Sequence, residues 1–196
     1  MNADTIPAGD NMVDGMADPA RRDALAGEIL AYCERRQVKI AAAESLTGGL
    51  LADAFVRVPG ASKVFLGSAV TYDIHAKAKI LGVAPRLLDT QGAVHPEVAR
   101  QMAWGTARLY DQPAYCGRVI GLSTTGVAGP GPDGDKPAGL VYIGCSLPGA
   151  VTGGARVTRA RELRLHGTRE QVREQTVWCV LANVRQLTVS FEEYFR

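Results

Sequence analysis

The chain has 196 residues, of which 46% are hydrophobic and 21% are charged, and its formal net charge is +2. These values are typical of a folded globular protein and exclude an intrinsically disordered or fibrous chain, and the length suits a single domain. The basic residues are dispersed, and the densest run, RVTRARELRLHGTRE, is interrupted by acidic and apolar residues. We therefore expect no direct binding of nucleic acid.

The cysteines are far apart and share no C-x-x-C or Cys/His ligand spacing; they are Cys33, Cys116, Cys145 and Cys179. This pattern favours buried thiols of a cytosolic protein over a disulfide framework, and it offers no metal site. The chain has no uninterrupted apolar run of about 18 residues, and its N-terminus lacks a basic segment followed by an apolar one. We therefore expect a cytoplasmic protein without membrane association.

The N-terminal part of the chain predicts a flexible arm followed by a helix, a strand and a second helix. Residues 1–17 have no sustained period, which indicates the arm, and residues 18–196 are predicted to form the domain. Asp18 and Pro19 are typical of an N-cap and a first helical residue, and an amphipathic pattern continues to about Gln37. The apolar run VKIAAA predicts a buried strand, and GGLLADAFVRV predicts the next helix.

The rest of the chain continues to alternate between strands and helices. KVFLGSAVTY and GRVIGLSTTG predict strands, DIHAKAKILG predicts a helix that Gly82 ends, and another helix is expected from Pro96 to about Tyr110. LVYIGCS and GARVTRARELRL predict an antiparallel pair around PGAVTGG, and Thr168 with Gln171 forms a capping box for the last helix. This alternation predicts a single-domain α/β fold, a three-layer α/β/α sandwich with a mostly parallel, partly mixed sheet.

In such sheets ligands bind beyond the carboxyl ends of the strands, which here points to the loops at 44–49, 71–77 and 124–139. In AAAESLTGG, Ser45 follows a strand and precedes a helix whose free N–H groups form a positive end. Ser45 is therefore a candidate nucleophile beside ready oxyanion donors. The alternative is that Ser45 or Thr47 only caps the helix. The lysine of a G-x-x-x-x-G-K-[ST] phosphate loop is missing, which argues against a nucleotide triphosphatase of that type.

A serine nucleophile needs a base, and the sequence offers a lysine for that role. The histidines follow no recognisable triad order, which disfavours a Ser-His-Asp hydrolase; they are His75, His95 and His166. Lys77 can act as the base if burial lowers its pKa, and Tyr72 lies five residues before it. The alternative is that Lys77 is an ordinary solvated helix lysine.

Two further segments could bind a substrate. Thr124 and Thr125, followed by GVAGPGPDGDKP, could hold a phosphate or ribose through backbone amides and hydroxyl groups, or could form an ordinary surface loop. Arg169 could pair with a phosphate or lie on a solvated helix face. Trp104 and Trp178 fall within helical patterns and are predicted to lie in the core.

Together these segments resemble the CinA C-terminal domain family, whose stand-alone members are nicotinamide-nucleotide amidohydrolases. The resemblance runs from about residue 20 to 190 and is carried by AESLTGGLLA, VPGASKVFLGSAVTY, AKAKILGV, GAVHPEV, TGVAGPGPDGDKPAGLVYIG and GTREQVREQ. It implies an α/β/α fold, a homodimer, and hydrolysis of the carboxamide of nicotinamide mononucleotide (NMN) to nicotinic acid mononucleotide and ammonia. It implies neither a metal nor a cofactor.

The resemblance also implies roles for individual residues. Ser45 corresponds to the nucleophile, Lys77 to its base, and Tyr72 to a residue that relays the proton or orients the base. Helix-terminal amides near residues 47–49 are expected to hold the oxyanion. The residues predicted to bind the substrate are Glu44, Thr47, Gly48, Gly49, Thr125, Gly126, Gly129 and Arg169.

The sequence departs from the family pattern near these residues. Asp73, Ile74 and His75 replace Ser-Asn-Glu in the family's YSNEAK segment, Leu46 replaces the usual cysteine, and Leu140 the usual threonine. Two other functions are compatible with the sequence: a non-catalytic nucleotide-binding or protein-interaction module linked to competence or DNA damage, and an amidase for another small carboxamide.

Overall fold

The computed structural model of the protein describes residues 18–189. The predicted arm at residues 1–17 and the end of the predicted domain at residues 190–196 lie outside the described residues. The helices are α1 (Pro19–Arg35), α2 (Leu50–Val56), α3 (Ile74–Leu81), α4 (Pro85–Gln91), α5 (Pro96–Leu109), α6 (Gly149–Thr152) and α7 (Arg169–Leu187). The strands are β1 (Lys39–Glu44), β2 (Phe65–Val70), β3 (Val119–Gly126), β4 (Leu140–Leu147) and β5 (Val157–Arg164), and a 3₁₀ turn spans Ala61–Lys63.

The strands form one five-stranded sheet in the order β2-β1-β3-β4-β5. Strand β1 pairs in parallel with β2 and β3, whereas β4 pairs antiparallel with both β3 and β5. Four strands therefore run in the same direction and β4 runs in the opposite one. The predicted three-layer sandwich with a mostly parallel, partly mixed sheet is confirmed.

Helices cover both faces of the sheet. Helices α1, α2 and α7 pack on one face, where Ile29, Phe55 and Val177 belong to the main hydrophobic cluster. Helices α3, α4 and α5 pack on the other face, where Leu81 and Met102 belong to a second cluster. Burial of these apolar side chains is the main force that holds the layers together.

Glycines allow α5 to lie unusually close to its neighbours. A Cβ atom on Gly121 of β3 would lie 2.0 Å from the carbonyl oxygen of Ala103, and one on Gly105 would lie 1.9 Å from the carbonyl oxygen of Leu81. Only glycine fits at these two contacts. They fix α5 on the sheet and α3 on α5, and α3 is the helix that carries Lys77.

The local signals for helix ends are confirmed. The Asp18 side chain accepts a hydrogen bond from the N–H of Ala20 at the start of α1, and Gly82 ends α3 with a φ of 71°. The capping box of Thr168 and Gln171 opens α7. Helix α4 was not predicted, and PGAVTGG contains the short helix α6 rather than only a turn.

The predicted burial of Trp104 and of Cys116 is wrong, and that of Trp178 is confirmed only in part. Trp104 is 41% exposed, and its ring stacks under the guanidinium of Arg156 with 5.2 Å from the ring centroid to Cζ. Trp178 is half-buried against the main cluster. Cys116 is exposed in the loop after α5, while the other three cysteines are buried.

Within residues 18–189, no helix is long and apolar enough to cross a membrane.

Candidate active site

Ser45 lies at the carboxyl end of β1, between two parallel neighbours. Its N–H donates to the carbonyl oxygen of Thr124 in β3 at 3.1 Å, and the Thr47 and Thr124 hydroxyl groups are 2.8 Å apart. Gly48 and Gly49 have φ values of 54° and 102°, which glycine adopts more easily than other residues. These glycines let the chain reverse directly from β1 into α2. We call residues 45–49 the nucleophile turn.

Lys77 contacts the Ser45 hydroxyl. Its side chain is fully buried, and its Nζ lies 3.1 Å from Ser45 Oγ, 2.6 Å from the carbonyl oxygen of Thr71 and 3.3 Å from that of Tyr72. Burial lowers the pKa of Lys77 from 10.5 to about 8, although the nearby charge of Asp73 acts in the opposite direction. Lys77 is therefore not a solvated helix lysine.

The contacts of Lys77 suit a base. A neutral amine has two N–H bonds and one lone pair, and the carbonyl groups of Thr71 and Tyr72 can accept both N–H bonds. The lone pair then faces Ser45 Oγ and can accept its proton. An uncharged lysine beside a serine is an arrangement that activates the hydroxyl as a nucleophile.

Glu44 has a structural environment, not the one expected of a substrate-binding residue. Its fully buried carboxylate accepts hydrogen bonds of 2.8 to 3.0 Å from backbone N–H groups of α2 and its N-cap and from a hydroxyl of β2; the donors are Gly49, Leu51, Ala52 and Ser68. These four donors occupy both carboxylate oxygens. The prediction that Glu44 binds the substrate is therefore corrected: Glu44 holds the start of α2 against the sheet.

Two of the amides expected to hold the oxyanion already have acceptors within the protein. The N–H of Gly48 donates to the carbonyl oxygen of Ser45 at 3.2 Å, and that of Gly49 is bound to Glu44. Among the residues of the nucleophile turn, all of which the structure describes, only the N–H groups of Leu46 and Thr47 have no protein acceptor. Of the predicted donors at 47–49, Gly48 and Gly49 are therefore engaged within the protein, and the N–H of Thr47, with that of Leu46, is left for a ligand.

A cleft of about 240 Å³ lies next to the nucleophile turn: Leu46, the residue after Ser45, lines it, whereas Ser45 and Lys77 are not among its lining residues. Leu46, Tyr72, Arg169 and the loop that contains Gly129 and Asp133 line this cleft. Gly126 also lines the cleft, where a Cβ atom would lie 2.7 Å from the carbonyl oxygen of Leu140 in the next strand. The structure thus brings the predicted glycine loop to the candidate nucleophile.

Two predicted binding residues do not have free hydroxyl groups. The fully buried Thr125 donates through Oγ1 to the carbonyl oxygen of Ala93 at 2.7 Å. Thr47 is also fully buried, and its hydroxyl faces Thr124. Both side chains therefore support the loops around the cleft, and the backbone of these loops is what can face a ligand.

Arg169 and Tyr72 contact each other at the side of the cleft. Arg169 donates to the carbonyl oxygen of Gly129 at 2.7 Å and to the Tyr72 hydroxyl at 3.2 Å. Tyr72 is 63% exposed. Tyr72 therefore contacts Lys77 through its backbone carbonyl and not through its hydroxyl, which does not fit the predicted relay of a proton.

Arg173 was not predicted from the sequence as a residue of the site. Its guanidinium donates to the carbonyl oxygens of Leu46 at 2.9 Å and Thr47 at 3.0 Å, both in the nucleophile turn. The signal was present, because Arg169 and Arg173 are four residues apart on a helix that begins at the capping box, so they share a face.

The departures from the family pattern have clear places in the fold. Asp73 is the N-cap of α3 and accepts a hydrogen bond from the N–H of Ala76 at 3.0 Å, Ile74 packs against the second hydrophobic cluster, and His75 is exposed. Leu140 is buried in a small third cluster. These substitutions leave the Ser45–Lys77 contact in place.

A larger cavity of about 660 Å³ lies at the opposite end of β1, far from this pair in the sheet. The cationic side chains that line it already have protein partners. Lys39 donates to the carbonyl oxygen of Lys63, Lys63 pairs with Glu34, and Arg118 donates to the carbonyl oxygen of Gln37. None of the predicted site residues lines it. The smaller cleft is therefore the candidate active site.

Comparison with known proteins identifies the family. The sequence model of the CinA C-terminal domain matches residues 22–188. A CinA-like protein of Frankia casuarinae is 42% identical over 167 residues, which cover 84% of this chain and 35% of that protein. The chain spans about a third of the length of the curated relatives it matches.

Solved structures give the same result. The competence/damage inducible protein CihA from Agrobacterium tumefaciens superposes with a TM-score of 0.74 and 32% identity, covering 85% of this chain and 94% of that one. A CinA superfamily protein from Escherichia coli superposes with a TM-score of 0.77 and 26% identity, covering 93% and 94%. On this evidence of sequence and fold, the chain belongs to the CinA C-terminal domain family.

Proposed function

We propose that this protein is a serine amidohydrolase that converts NMN to nicotinic acid mononucleotide and ammonia, in cytoplasmic pyridine-nucleotide salvage. The observation that carries the proposal is the 3.1 Å contact between Ser45 Oγ and the buried Nζ of Lys77. The choice of NMN as substrate rests on the family resemblance, and the chemistry rests on the pair.

In the first step, Ser45 Oγ attacks the carboxamide carbon of the substrate while neutral Lys77 takes the hydroxyl proton. The carbonyl oxygen becomes an oxyanion in the tetrahedral intermediate. In this proposal its donors are the N–H groups of Leu46 and Thr47, which have no protein acceptor. Fixed donors of this kind stabilise the developing charge more effectively than water does.

In the second step, Lys77 returns the proton to the amide nitrogen, the C–N bond breaks, and ammonia leaves. The substrate acyl group is then an ester of Ser45. Water attacks this ester, Lys77 accepts the proton of the water, and the proton passes to Ser45 Oγ as the C–O bond to serine breaks. Nicotinic acid mononucleotide leaves and the pair is regenerated.

The cleft supplies complementary groups for the rest of the substrate. The exposed ring of Tyr72 offers an aromatic face to the positively charged pyridinium. The backbone of the loop around Gly129 and the guanidinium of Arg169 line the same cleft as Tyr72 and suit a phosphate. Tyr72 and Arg169 are thus binding residues in this proposal.

The test is the release of ammonia from NMN by the wild type, Ser45→Ala and Lys77→Met, with nicotinamide as an alternative substrate. We expect each substitution to lower kcat by about 10⁴-fold or more, as for other residues that act as a catalytic unit. Lys79→Met is the matched control, because Lys79 is exposed on the same helix, and it should keep wild-type activity.

Two results would contradict the proposal. Wild-type protein that binds NMN without releasing ammonia would indicate a binding module. Ammonia release that survives in Ser45→Ala would require another nucleophile.

A further inference from the structure

The first turns of α7 connect the three loops of the candidate site. Arg169 donates to Gly129 in the glycine loop and to the Tyr72 hydroxyl in the loop before α3. Arg173, one turn further, donates to the nucleophile turn. No other helix described in residues 18–189 has side-chain hydrogen bonds to all three loops.

The contact of Arg173 with the nucleophile turn is bidentate. Its Nε and one terminal nitrogen donate to the carbonyl oxygens of Leu46 and Thr47, which belong to consecutive peptide groups. The planar guanidinium suits two acceptors in this fixed arrangement. One terminal nitrogen also lies 3.5 Å from the position that a Cβ on Gly48 would occupy, so the turn and the arginine are in close contact.

These contacts fix the direction of an oxyanion donor. Among the described residues, the one cis peptide bond is Gly129–Pro130, so the peptide between Leu46 and Thr47 is trans. In a trans peptide the C=O and N–H groups point in opposite directions. Because Arg173 holds the carbonyl of Leu46, the N–H of Thr47 points away from the arginine and keeps no protein acceptor.

We propose that Arg173 is a positioning residue that holds the nucleophile turn in its reactive conformation and aims the N–H of Thr47 at the developing oxyanion. This inference rests on the proposed function. Arg173 does not touch the reacting atoms and acts through the Leu46–Thr47 and Thr47–Gly48 peptide groups. Its contribution is therefore greater in the transition state, where the oxyanion exists, than in the bound substrate.

The experiment compares the wild type with Arg173→Met and Arg173→Lys. Arg185→Met is the matched control, because Arg185 lies on the same helix and pairs with Glu28 of α1. Three quantities are measured: kcat and KM for NMN, the rate at which phenylmethanesulfonyl fluoride labels Ser45, and amide hydrogen exchange of residues 45–52. In the labelling reaction an Oγ–S bond forms, the S–F bond breaks, fluoride leaves, and Lys77 takes the serine proton.

We expect Arg173→Met to lower kcat by about 100-fold, the usual effect of losing an oxyanion donor, with KM within about threefold of the wild type. Labelling of Ser45 should slow, and exchange should rise in residues 45–52 but not in β1 or β3. The kcat, labelling rate and exchange of Arg173→Lys should lie between those of Arg173→Met and the wild type, because an ammonium cannot reproduce the planar two-point contact. Arg173→Lys also provides the test if Arg173→Met fails to fold. Arg185→Met should match the wild type in all three measurements.

The remaining outcomes separate the two proposals. A wild-type protein that is labelled at Ser45 but does not hydrolyse NMN would overturn the proposed function, and the labelling rates of the variants would still test Arg173. Equal kcat, labelling and exchange in Arg173→Met and the wild type would overturn the role of Arg173. A higher KM with unchanged kcat would do so too, because it would make Arg173 a residue for binding alone.

Discussion

Two buried ionisable side chains, Glu44 of β1 and Lys77 of α3, lie on opposite faces of the sheet near the end of β1. Successive residues of an extended chain point to opposite faces, so Glu44 faces α2 while Ser45 faces α3 and Lys77. Glu44 accepts four hydrogen bonds from N–H and O–H donors. Lys77 contacts two carbonyl groups and one hydroxyl, all of them uncharged.

The two side chains therefore have different roles: Glu44 has a structural role, and Lys77 has a chemical one. A carboxylate that accepts hydrogen bonds on both oxygens holds the groups that donate to it in place. An ammonium without a counter-ion in contact is poorly compensated for the loss of water, so burial brings its pKa to about 8. A group that changes its charge near neutral pH can move protons, which is what a general base requires.

The substitution Glu44→Gln tests the structural role of Glu44, and we expect it to have the largest effect on stability. The amide NH₂ would face backbone N–H groups in a fully buried position, so we expect the free energy of unfolding to fall by about 3 to 4 kcal/mol. Urea unfolding measures the loss. The matched control is Glu34→Gln, because the Glu34 carboxylate of the wild type forms an exposed pair with Lys63. The unfolding midpoint of this control variant should hardly change. Equal effects of the two substitutions would contradict the structural role of Glu44.

The chemical side predicts a dependence of stability on pH. The pKa of Lys77 is about 8 in the folded protein and 10.5 as the reference for the unfolded chain. Between these values the unfolded chain binds more protons, so the contribution of Lys77 to stability rises with pH, and its burial penalty is present in full below pH 8. Relative to Lys77→Met, the wild type should gain on the order of 2 to 3 kcal/mol in unfolding free energy between pH 7 and 10. A difference that does not change with pH would mean an unshifted lysine.

A smaller effect is expected from Asp73, whose charge raises the pKa of Lys77. Asp73→Asn should move the acidic limb of the pH dependence of kcat/KM to lower pH by less than about one unit. Asparagine is also a good N-cap, so α3 should remain stable. Asp89→Asn, at an exposed position of α4, is the control. A shift to higher pH in Asp73→Asn would be the opposite of what this electrostatic explanation requires.

Sequence was sufficient to predict the local structure around the nucleophile. The apolar run VKIAAA forms β1, and the glycines after Ser45 adopt the positive φ values that the turn requires. The fold class followed from the alternation of strands and helices. Helix α4 escaped prediction because it has seven residues and buries only Leu88, so it leaves no amphipathic pattern.

The burial of the candidate base could not be predicted from its local sequence. Lys77 and Lys79 both lie in AKAK, yet the first is fully buried and the second is exposed. The difference arises because α3 packs on α5 through the contact of Gly105 with Leu81, residues that are distant in sequence. The opposite directions of Glu44 and Ser45, in contrast, follow from strand geometry and were open to prediction.

The measurement that tests the central claim most directly is the pH dependence of kcat/KM for ammonia release from NMN. If neutral Lys77 is the base for Ser45, the rate should rise with pH through one deprotonation with a pKa of about 8 and then level off. The Lys79→Met control should give the same curve. A flat profile between pH 6 and 9, or a deprotonation near the pKa of a free histidine, would contradict the assignment of Lys77 as the base.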